Sequence, residues 1–139
     1  MKTVIDTNVL VGSLLSGQGV NRSVIKYCFE GKLAPQISNS LFMEYSDVFS
    51  RNDIIEKSLL PEKENQDFLD DFLSVCIWND FYFRWRPNLR DEGDNHIVEL
   101  ALASGSSIIV THNIRDFRYS ELKFPELKIL TPAQILEHF

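Results

Sequence analysis

The 139-residue sequence has only two cysteines, no long apolar run and fewer basic than acidic residues. Cys28 and Cys76 lie far apart among apolar neighbours, so we expect free buried thiols rather than a disulfide, as is usual for a cytoplasmic protein. No segment approaches the ~20 apolar residues of a membrane-spanning helix, and the N-terminus lacks the continuous apolar stretch of an export signal. The sequence therefore predicts neither membrane anchoring nor export.

The charge balance limits how the chain can meet nucleic acid. Twenty acidic residues against 14 basic ones give a net charge of −6 at pH 7. This argues against a protein that holds nucleic acid by bulk positive charge. It does not exclude a nuclease, because carboxylates that hold divalent cations also make a protein acidic, and the bound metal then meets the phosphate.

The remaining composition is that of a folded domain. Hydrophobic residues make up 44% of the chain, which includes ten Phe, four Tyr and two Trp. Short apolar runs alternate with helical patterns, which predicts a three-layer α/β/α sandwich around a central, mostly parallel sheet. We expect one domain over residues 1–139, with a charged helical arm at about 51–74. The apolar side of that arm covers either the sheet or a partner chain.

A carboxylate follows the first predicted strand. Residues 2–5 are typical of a short buried strand, and an apolar pattern with helical spacing resumes after Asp6, Thr7 and Asn8. Ligands of parallel sheets bind outside the carboxyl ends of the strands, so Asp6 is a candidate for chemistry. Capping of the following helix would explain Asp6 equally well.

Three further acidic positions are expected at the same edge of the sheet. The segment from Thr111 to Asp116 directly follows another buried strand. The helix that begins near Asp94 runs antiparallel to that strand, so its N-terminus returns to this edge. Glu44 lies about five residues into the helix after the second strand, ~7 Å from the start of that helix. A solvent-exposed helix face is the alternative for Glu44.

Clustered carboxylates imply a cation. Like charges raise one another's pKa, so such a cluster is costly unless an ion occupies it. Oxygen ligands without Cys or His select Mg²⁺ or Mn²⁺ rather than zinc. His96, His112 and His138 show no zinc-type spacing, and we expect them to be surface residues or hydrogen-bond donors to the ligands.

One segment mixes basic and aromatic residues. Residues 75–89 interleave aromatic side chains with Arg84 and Arg86. This mixture suits single-stranded nucleic acid, because aromatic faces stack on bases and guanidinium groups meet phosphate. Packing of a long connection against the core explains it equally well.

Several segments, taken in order, carry a family resemblance: Val4 to Leu10, Glu44, Trp85 to Asp91, Asp94 to Ala101, and Val110 to Asn113 with Asp116 and Phe117. In this order and spacing they resemble the PIN-domain family, and more narrowly the PIN-family toxins of bacterial toxin-antitoxin systems. The resemblance covers essentially the whole chain.

The resemblance implies an endoribonuclease that uses Mg²⁺ or Mn²⁺ to hydrolyse RNA phosphodiester bonds. It also implies a cytoplasmic homodimer whose site is blocked by a small antitoxin protein. The implied catalytic and metal-binding residues are Asp6, Glu44, Asp94 and Asp116. The implied supporting residues are Thr7, Asn8, Asp91, Thr111 and Asn113. The candidates for contact with substrate phosphate are Arg84, Arg86 and Arg115.

One departure from the family pattern keeps a second interpretation open. Where many PIN domains have Thr-x-Asp, this chain has Thr111-His112-Asn113. Asparagine is neutral and a weaker ligand, so a catalytically weak or inactive PIN scaffold that binds RNA or a protein partner is the alternative function. A phosphatase with Asp6 as nucleophile is a third hypothesis, but it would want a second carboxylate at position 8, where Asn8 stands.

Overall fold

The computed structural model describes residues 1–15, 19–80 and 95–139. The strands in these ranges are β1 (Lys2–Ile5), β2 (Ala34–Ile37), β3 (Ile77–Trp78), β4 (Ile108–Val110) and β5 (Lys128–Leu130). The helices are α1 (Thr7–Leu15), α2 (Val20–Phe29), α3 (Asn39–Phe49), α4 (Asn52–Lys57), α5 (Glu62–Val75), α6 (Asn95–Ser104), α7 (Ile114–Lys123) and α8 (Pro132–Leu136).

The five described strands form one sheet in the order β3-β2-β1-β4-β5, and every pairing between them is parallel. The chain proceeds outward from β1 through β2 to β3, and then crosses back to place β4 on the other side of β1. The point between β1 and β4, where the direction of winding reverses, is where open parallel sheets bind ligands. The predicted α/β fold with its parallel sheet is confirmed, and the described sheet is wholly parallel.

Helices cover the sheet in the layers of an α/β/α sandwich. Helix α1 packs on α2 and α3, whereas α6 packs on β1, β2 and β4. Val4 and Ile5 of β1 and Ile109 and Val110 of β4 are apolar and completely buried, because helices cover both faces of the sheet. The core therefore ends abruptly at the carboxyl ends of β1 and β4, where the first polar side chains follow.

The charged arm covers this chain's own helices. Helices α4 and α5 make up most of residues 51–74, and α5 buries Leu69 and Phe72 in the same core as the sheet. The Phe72 ring makes edge contacts with Phe29 of α2 and Tyr45 of α3. The sequence left the sheet and a partner chain open as the surface under the arm; in the structure α5 packs on helices α2 and α3.

Two elements were not predicted from the sequence. Within residues 75–89, which were left open between a nucleic-acid surface and a packed connection, Ile77 and Trp78 form the short edge strand β3. The polar segment after Thr111 continues into the ten-residue helix α7. Both elements bury few side chains, so neither leaves a strong apolar pattern in the sequence.

The C-terminal helix is capped, and both cysteines are free, as expected. Thr131 caps α8 in a capping box with Gln134, and Pro132 occupies the first turn. Both cysteines are free thiols; Cys28 is buried, Cys76 is half-buried, and burial raises the pKa of each to about 12. No helix in the described ranges is long and apolar enough to cross a membrane.

Candidate active site

Asp6 occupies the turn between β1 and α1, directly beside the end of β4. Its backbone N–H donates to the Val110 carbonyl at 2.9 Å, which continues the β1–β4 pairing by one step. Its side chain is only 5% exposed. The Asp6 carboxylate accepts hydrogen bonds from the Thr7 N–H at Oδ1 (2.8 Å) and from the Thr111 hydroxyl at Oδ2 (2.7 Å). The carboxylate thus bridges the ends of the two central strands as well as sitting at the start of α1.

Thr111 is the first residue after β4 and has two roles. Its hydroxyl donates to Asp6 and also accepts from the N–H of Asn113 at 3.0 Å. The side chain is completely buried. One threonine therefore fixes both the buried carboxylate and the turn that leads from β4 into α7.

Glu44 projects from α3 toward the same place. Its Oε1 accepts from the Thr7 hydroxyl at 2.7 Å, and its Oε2 lies 2.6 Å from Nε2 of His96 on α6. An ionised carboxylate only accepts hydrogen bonds, so His96 is the donor through Nε2. Thr7 contacts both acids, because its N–H binds Asp6 and its hydroxyl binds Glu44. The two acids are therefore held relative to each other by a shared residue.

A pocket of about 300 Å³ opens between these elements. Its lining residues come from the β1–α1 turn, α3 and the start of α7: Asp6, Thr7, Asn8, Val11, Glu44, Val48, Asn113 and Asp116. Asn113 is the N-terminal capping residue of α7, but its side chain makes no capping hydrogen bond. The carboxamide of Asn113 is thus available to the pocket rather than committed to the helix.

The two acids have opposite pKa shifts. Burial raises the pKa of Asp6, and the nearby charge of Glu44 raises it further, against the lowering effect of the Thr111 and Thr7 hydrogen bonds. Burial also raises the pKa of Glu44, but hydrogen bonds from His96 and Thr7 outweigh it, and the net pKa lies below the usual value. Glu44 is therefore stabilised as an anion, whereas ionised Asp6 is unfavourable without a compensating positive charge.

The donor set fits a hard cation only in part. Asp6, Glu44 and Asp116 offer carboxylate oxygens to one pocket, which are the donors that Mg²⁺ and Mn²⁺ prefer. The raised pKa of Asp6 indicates that a cation would be favourable beside it. However, no three described Asp, Glu, His or Cys side chains are grouped closely enough to hold an ion. A complete site needs at least one ligand beyond this described set.

Most of the predicted site residues lie at the pocket, and four lie outside the residues that the structure describes. Asp6, Glu44 and Asp116, with the predicted supporting residues Thr7, Asn8 and Asn113, line the pocket, and Thr111 binds Asp6 from behind. Arg115 is exposed on α7, next in sequence to Asp116. Four predicted residues lie outside the described ranges: Arg84, Arg86, Asp91 and Asp94.

Helix capping does not account for all contacts of Asp6, and a solvent-exposed helix face does not account for those of Glu44. The helix bond at the start of α1 runs from the Val9 N–H to the Asp6 backbone carbonyl, while the Asp6 side chain reaches across to Thr111. Glu44 is half-buried and hydrogen-bonded on both oxygens. Of the expected roles of His96, the structure places it as a donor to Glu44. Its position in the first turn of α6, the helix that returns to this edge, was the available signal.

A second polar contact links α1, α2 and the turn after β4. The His112 N–H donates to Asn8 Oδ1 at 3.3 Å, and the His112 ring nitrogen Nε2 lies 2.6 Å from Asn21 Oδ1. Gly12 lets α2 approach, since a Cβ atom there would lie 2.2 Å from the Asn21 side-chain nitrogen. These contacts hold the 111–113 turn against the helix that carries Asn8.

Comparison with known proteins gives three results. A family profile described as PIN domain matches residues 2–115. An uncharacterized protein of Methanocaldococcus jannaschii, MJ1680, is 29% identical over 150 residues, which cover all of this chain and 92% of that protein. Among solved structures, a chain in the crystal structure of VapBC2 from Rickettsia felis bound to a DNA fragment from their promoter has a TM-score of 0.60 and 19% identity. That match covers 94% of this chain and 98% of the other.

Proposed function

Because the chain belongs to the PIN-domain family, we propose that it is a Mg²⁺- or Mn²⁺-dependent endoribonuclease that hydrolyses RNA phosphodiester bonds. PIN domains are generally nucleases. The observation that carries the proposal is the pair Asp6 and Glu44, which share Thr7 as a donor and face one polar pocket at the switch point of the sheet. A buried carboxylate whose pKa is raised is costly to the fold, and such groups are concentrated at functional sites.

The roles follow from the two environments. Asp6 is the buried carboxylate that would hold the cation, together with Asp116 and Asp94. Glu44 has a lowered pKa and so stays ionised at neutral pH, where it would orient the water that attacks phosphorus. Thr7, Asn8, Thr111 and Asn113 would position these carboxylates or the substrate, with Asp91 as a further supporting acid. When bound, the ion lowers the pKa of water and neutralises charge on the phosphate.

Three arginines are candidates for contact with the substrate. Arg115 begins the exposed surface of α7 beside Asp116, and we propose it as a phosphate contact, together with Arg84 and Arg86. Attack of water on phosphorus breaks a P–O bond of the backbone and leaves one phosphate-ended and one hydroxyl-ended fragment. Positive side chains around the phosphate would counter the repulsion between the RNA and the acidic pocket.

A PIN scaffold without efficient catalysis is the second candidate. It is favoured by Asn113, which stands in the pocket where many PIN domains have aspartate, and by the absence of a three-residue metal group among the described side chains. In that case the protein would bind RNA or a protein partner through the same surface, and the acids would not be needed for function.

The deciding experiment is cleavage of a pool of labelled structured and unstructured RNAs. The purified protein is incubated with Mg²⁺, Mn²⁺ or EDTA beside two variants. Asp6→Asn removes the buried charge with little change in shape. Asp70→Asn is a matched control, since Asp70 is an exposed carboxylate on α5. We expect metal-dependent cleavage by the wild type and by Asp70→Asn, and none by Asp6→Asn. Folded protein that cleaves nothing under any metal supports the scaffold instead.

We also propose that the chain is the toxin of a cytoplasmic toxin-antitoxin pair and works as a homodimer. The likeness of its fold to a chain of the VapBC2 structure supports this role. Expression of the wild type should arrest growth of a bacterial host, and Asp6→Asn should not. Co-expression of the product of the adjacent gene should restore growth. Sedimentation of the purified chain tests the homodimer, and a monomer at micromolar concentration would contradict it.

A further inference from the structure

Helix α7 leaves one stripe of side chains uncovered. Phe117 and Ser120 face inward and are buried. Arg115, Arg118, Tyr119 and Leu122 recur at the spacing of one helix face and lie opposite them. Tyr119 is 51% exposed and Leu122 is 82% exposed, and both arginines are exposed as well. We call these four residues the α7 stripe.

The arginines of this stripe differ from the other arginines that the structure describes. Arg22 donates to the Ser13 carbonyl, and Arg51 pairs with Asp47 at 3.0 Å. Arg115 and Arg118 have no ion pair and no hydrogen bond to any described residue. On a chain with a net charge of −6, exposed guanidinium groups that have no acidic partner among the described residues are candidate contacts for an anion.

The stripe begins next in sequence to residues that line the pocket. Asn113 and Asp116, at the start of α7, line the pocket, and Arg115 lies between them in sequence. From Arg115 to Leu122 the helix rises ~10 Å, which is enough to follow a strand beyond the reacting phosphate. A strand with one phosphate in the pocket and the next on Arg115 would extend along this helix face.

We propose that the α7 stripe is the track for single-stranded RNA leaving the pocket, with phosphates on Arg115 and Arg118 and unpaired bases on Tyr119 and Leu122. This inference rests on the proposed nuclease function and assigns the surface that the RNA follows beyond the pocket. A single strand fits better than a duplex, because aromatic and apolar side chains can stack only on bases that are not paired. Guanidinium groups beside an exposed ring are the combination that such strands require.

The test measures binding separately from cleavage. Asp6→Asn serves as the parent, so that the RNA stays intact, and fluorescence anisotropy reports its affinity for a labelled unstructured oligoribonucleotide at several salt concentrations. Arg115→Gln with Arg118→Gln should lower the slope of log K against log [salt] by about 1.4, at ~0.7 per phosphate contact. Lys63→Gln, an exposed cation on α5, is the control and should leave the slope unchanged.

The aromatic contact has its own pair of variants. Tyr119→Ala should weaken binding by about fivefold or more, whereas Tyr119→Phe keeps the ring and should bind within about twofold of the parent. The proposal is overturned if the double arginine variant changes the salt slope no more than Lys63→Gln does. It is overturned as well if Tyr119→Ala weakens the binding of duplex RNA as much as the binding of single-stranded RNA. It is also overturned if these variants convert a dimer to a monomer, since the face would then bind a second copy.

The two proposals can fail independently. If the wild type cleaves RNA and Asp6→Asn does not, but the stripe variants bind and cut normally, the nuclease stands and the track is wrong. If no cleavage is found while binding depends on Arg118 and Tyr119 as expected, the track stands and the nuclease is wrong.

Discussion

Replacement of Thr111 by valine tests whether its hydroxyl holds the buried carboxylate of Asp6. Valine has a similar shape but no O–H, so the change removes the 2.7 Å hydrogen bond to Asp6 Oδ2 while filling nearly the same space. A hydrogen bond to a charged group contributes about 1.5–3 kcal/mol to stability, against about 0.5–1.5 kcal/mol for a neutral pair. We expect the free energy of unfolding to fall by about 1.5–3 kcal/mol at pH 8 in EDTA.

A double-mutant cycle separates this effect from a second one. Thr111 also accepts a hydrogen bond from the Asn113 N–H, and valine leaves that donor without its partner. This loss occurs equally in the wild type and in Asp6→Asn, so it cancels in the cycle. In Asp6→Asn the acceptor is neutral, and the cost of Thr111→Val should be smaller by about 1 kcal/mol.

Urea unfolding of the four proteins gives the coupling free energy, and Thr111→Ser, which keeps the hydroxyl, should lie close to the wild type. When the pH falls far enough to protonate Asp6, the two backgrounds should converge. An equal cost of Thr111→Val with Asp6 or with Asn at position 6 would refute the reasoning. Thr111 would then be a buried hydroxyl that supports the turn before α7, and not a residue that positions the carboxylate.

Four further predictions concern stability without metal. The pKa of Asp6 is raised in the folded state, so its contribution to stability is complete below the pKa of the unfolded chain and is lost as the pH rises through the folded pKa. Asp6→Asn should therefore have a higher melting temperature than the wild type at pH 8, and this difference should close in acid. Glu44 has a lowered pKa, so Glu44→Gln should melt below the wild type at neutral pH, and this gap should close as the pH falls through the folded pKa of Glu44. Gly12→Ala should stabilise the Asn21→Ala variant by up to ~1 kcal/mol but not the wild type, where the new Cβ meets the Asn21 side chain. Urea midpoints of both single variants and the pair test this. Gly105→Ala should cost about 1–2 kcal/mol by the same measurement despite open space around it, because φ is +72°, and Gly105→Asn should cost less.

The centre of the sheet is well predicted from the sequence because burial there is complete. Strands β1 and β4 are short apolar runs that end in polar residues, and helices on both faces remove any need for alternation. The same runs gave the position of Asp6 and of the 111–116 segment, since a parallel sheet places the carboxyl ends of its strands at one edge. The apolar runs do not give the strand order. It is the strand order that places β4 beside β1 and so brings Asp6 into contact with Thr111.

The edge elements are predicted poorly for the opposite reason. Strand β3 has two residues, and both are exposed at the side of the sheet. Helix α7 is anchored chiefly by Phe117 and Ser120, and its outward face carries charge and exposed apolar groups in equal number. Periodicity detects a helix through its buried stripe, so a helix whose exposed stripe is itself partly apolar has a weak signal.

The particular hydrogen bonds to the acids were the least accessible part of the site. Thr7, Thr111 and His96 lie in separate parts of the sequence, and each donates to Asp6 or Glu44. The family resemblance implied Thr7 and Thr111 as supporting residues, and His96 was expected to be a surface residue or a donor, but which acid each of them binds depends on the folded arrangement. In the folded chain these donors make two neighbouring carboxylates tolerable, yet the pKa of Asp6 remains raised because burial outweighs its hydrogen bonds. A buried carboxylate with a raised pKa lowers the stability of the free protein, and a bound cation would restore it, as we expect of the proposed metal-dependent nuclease.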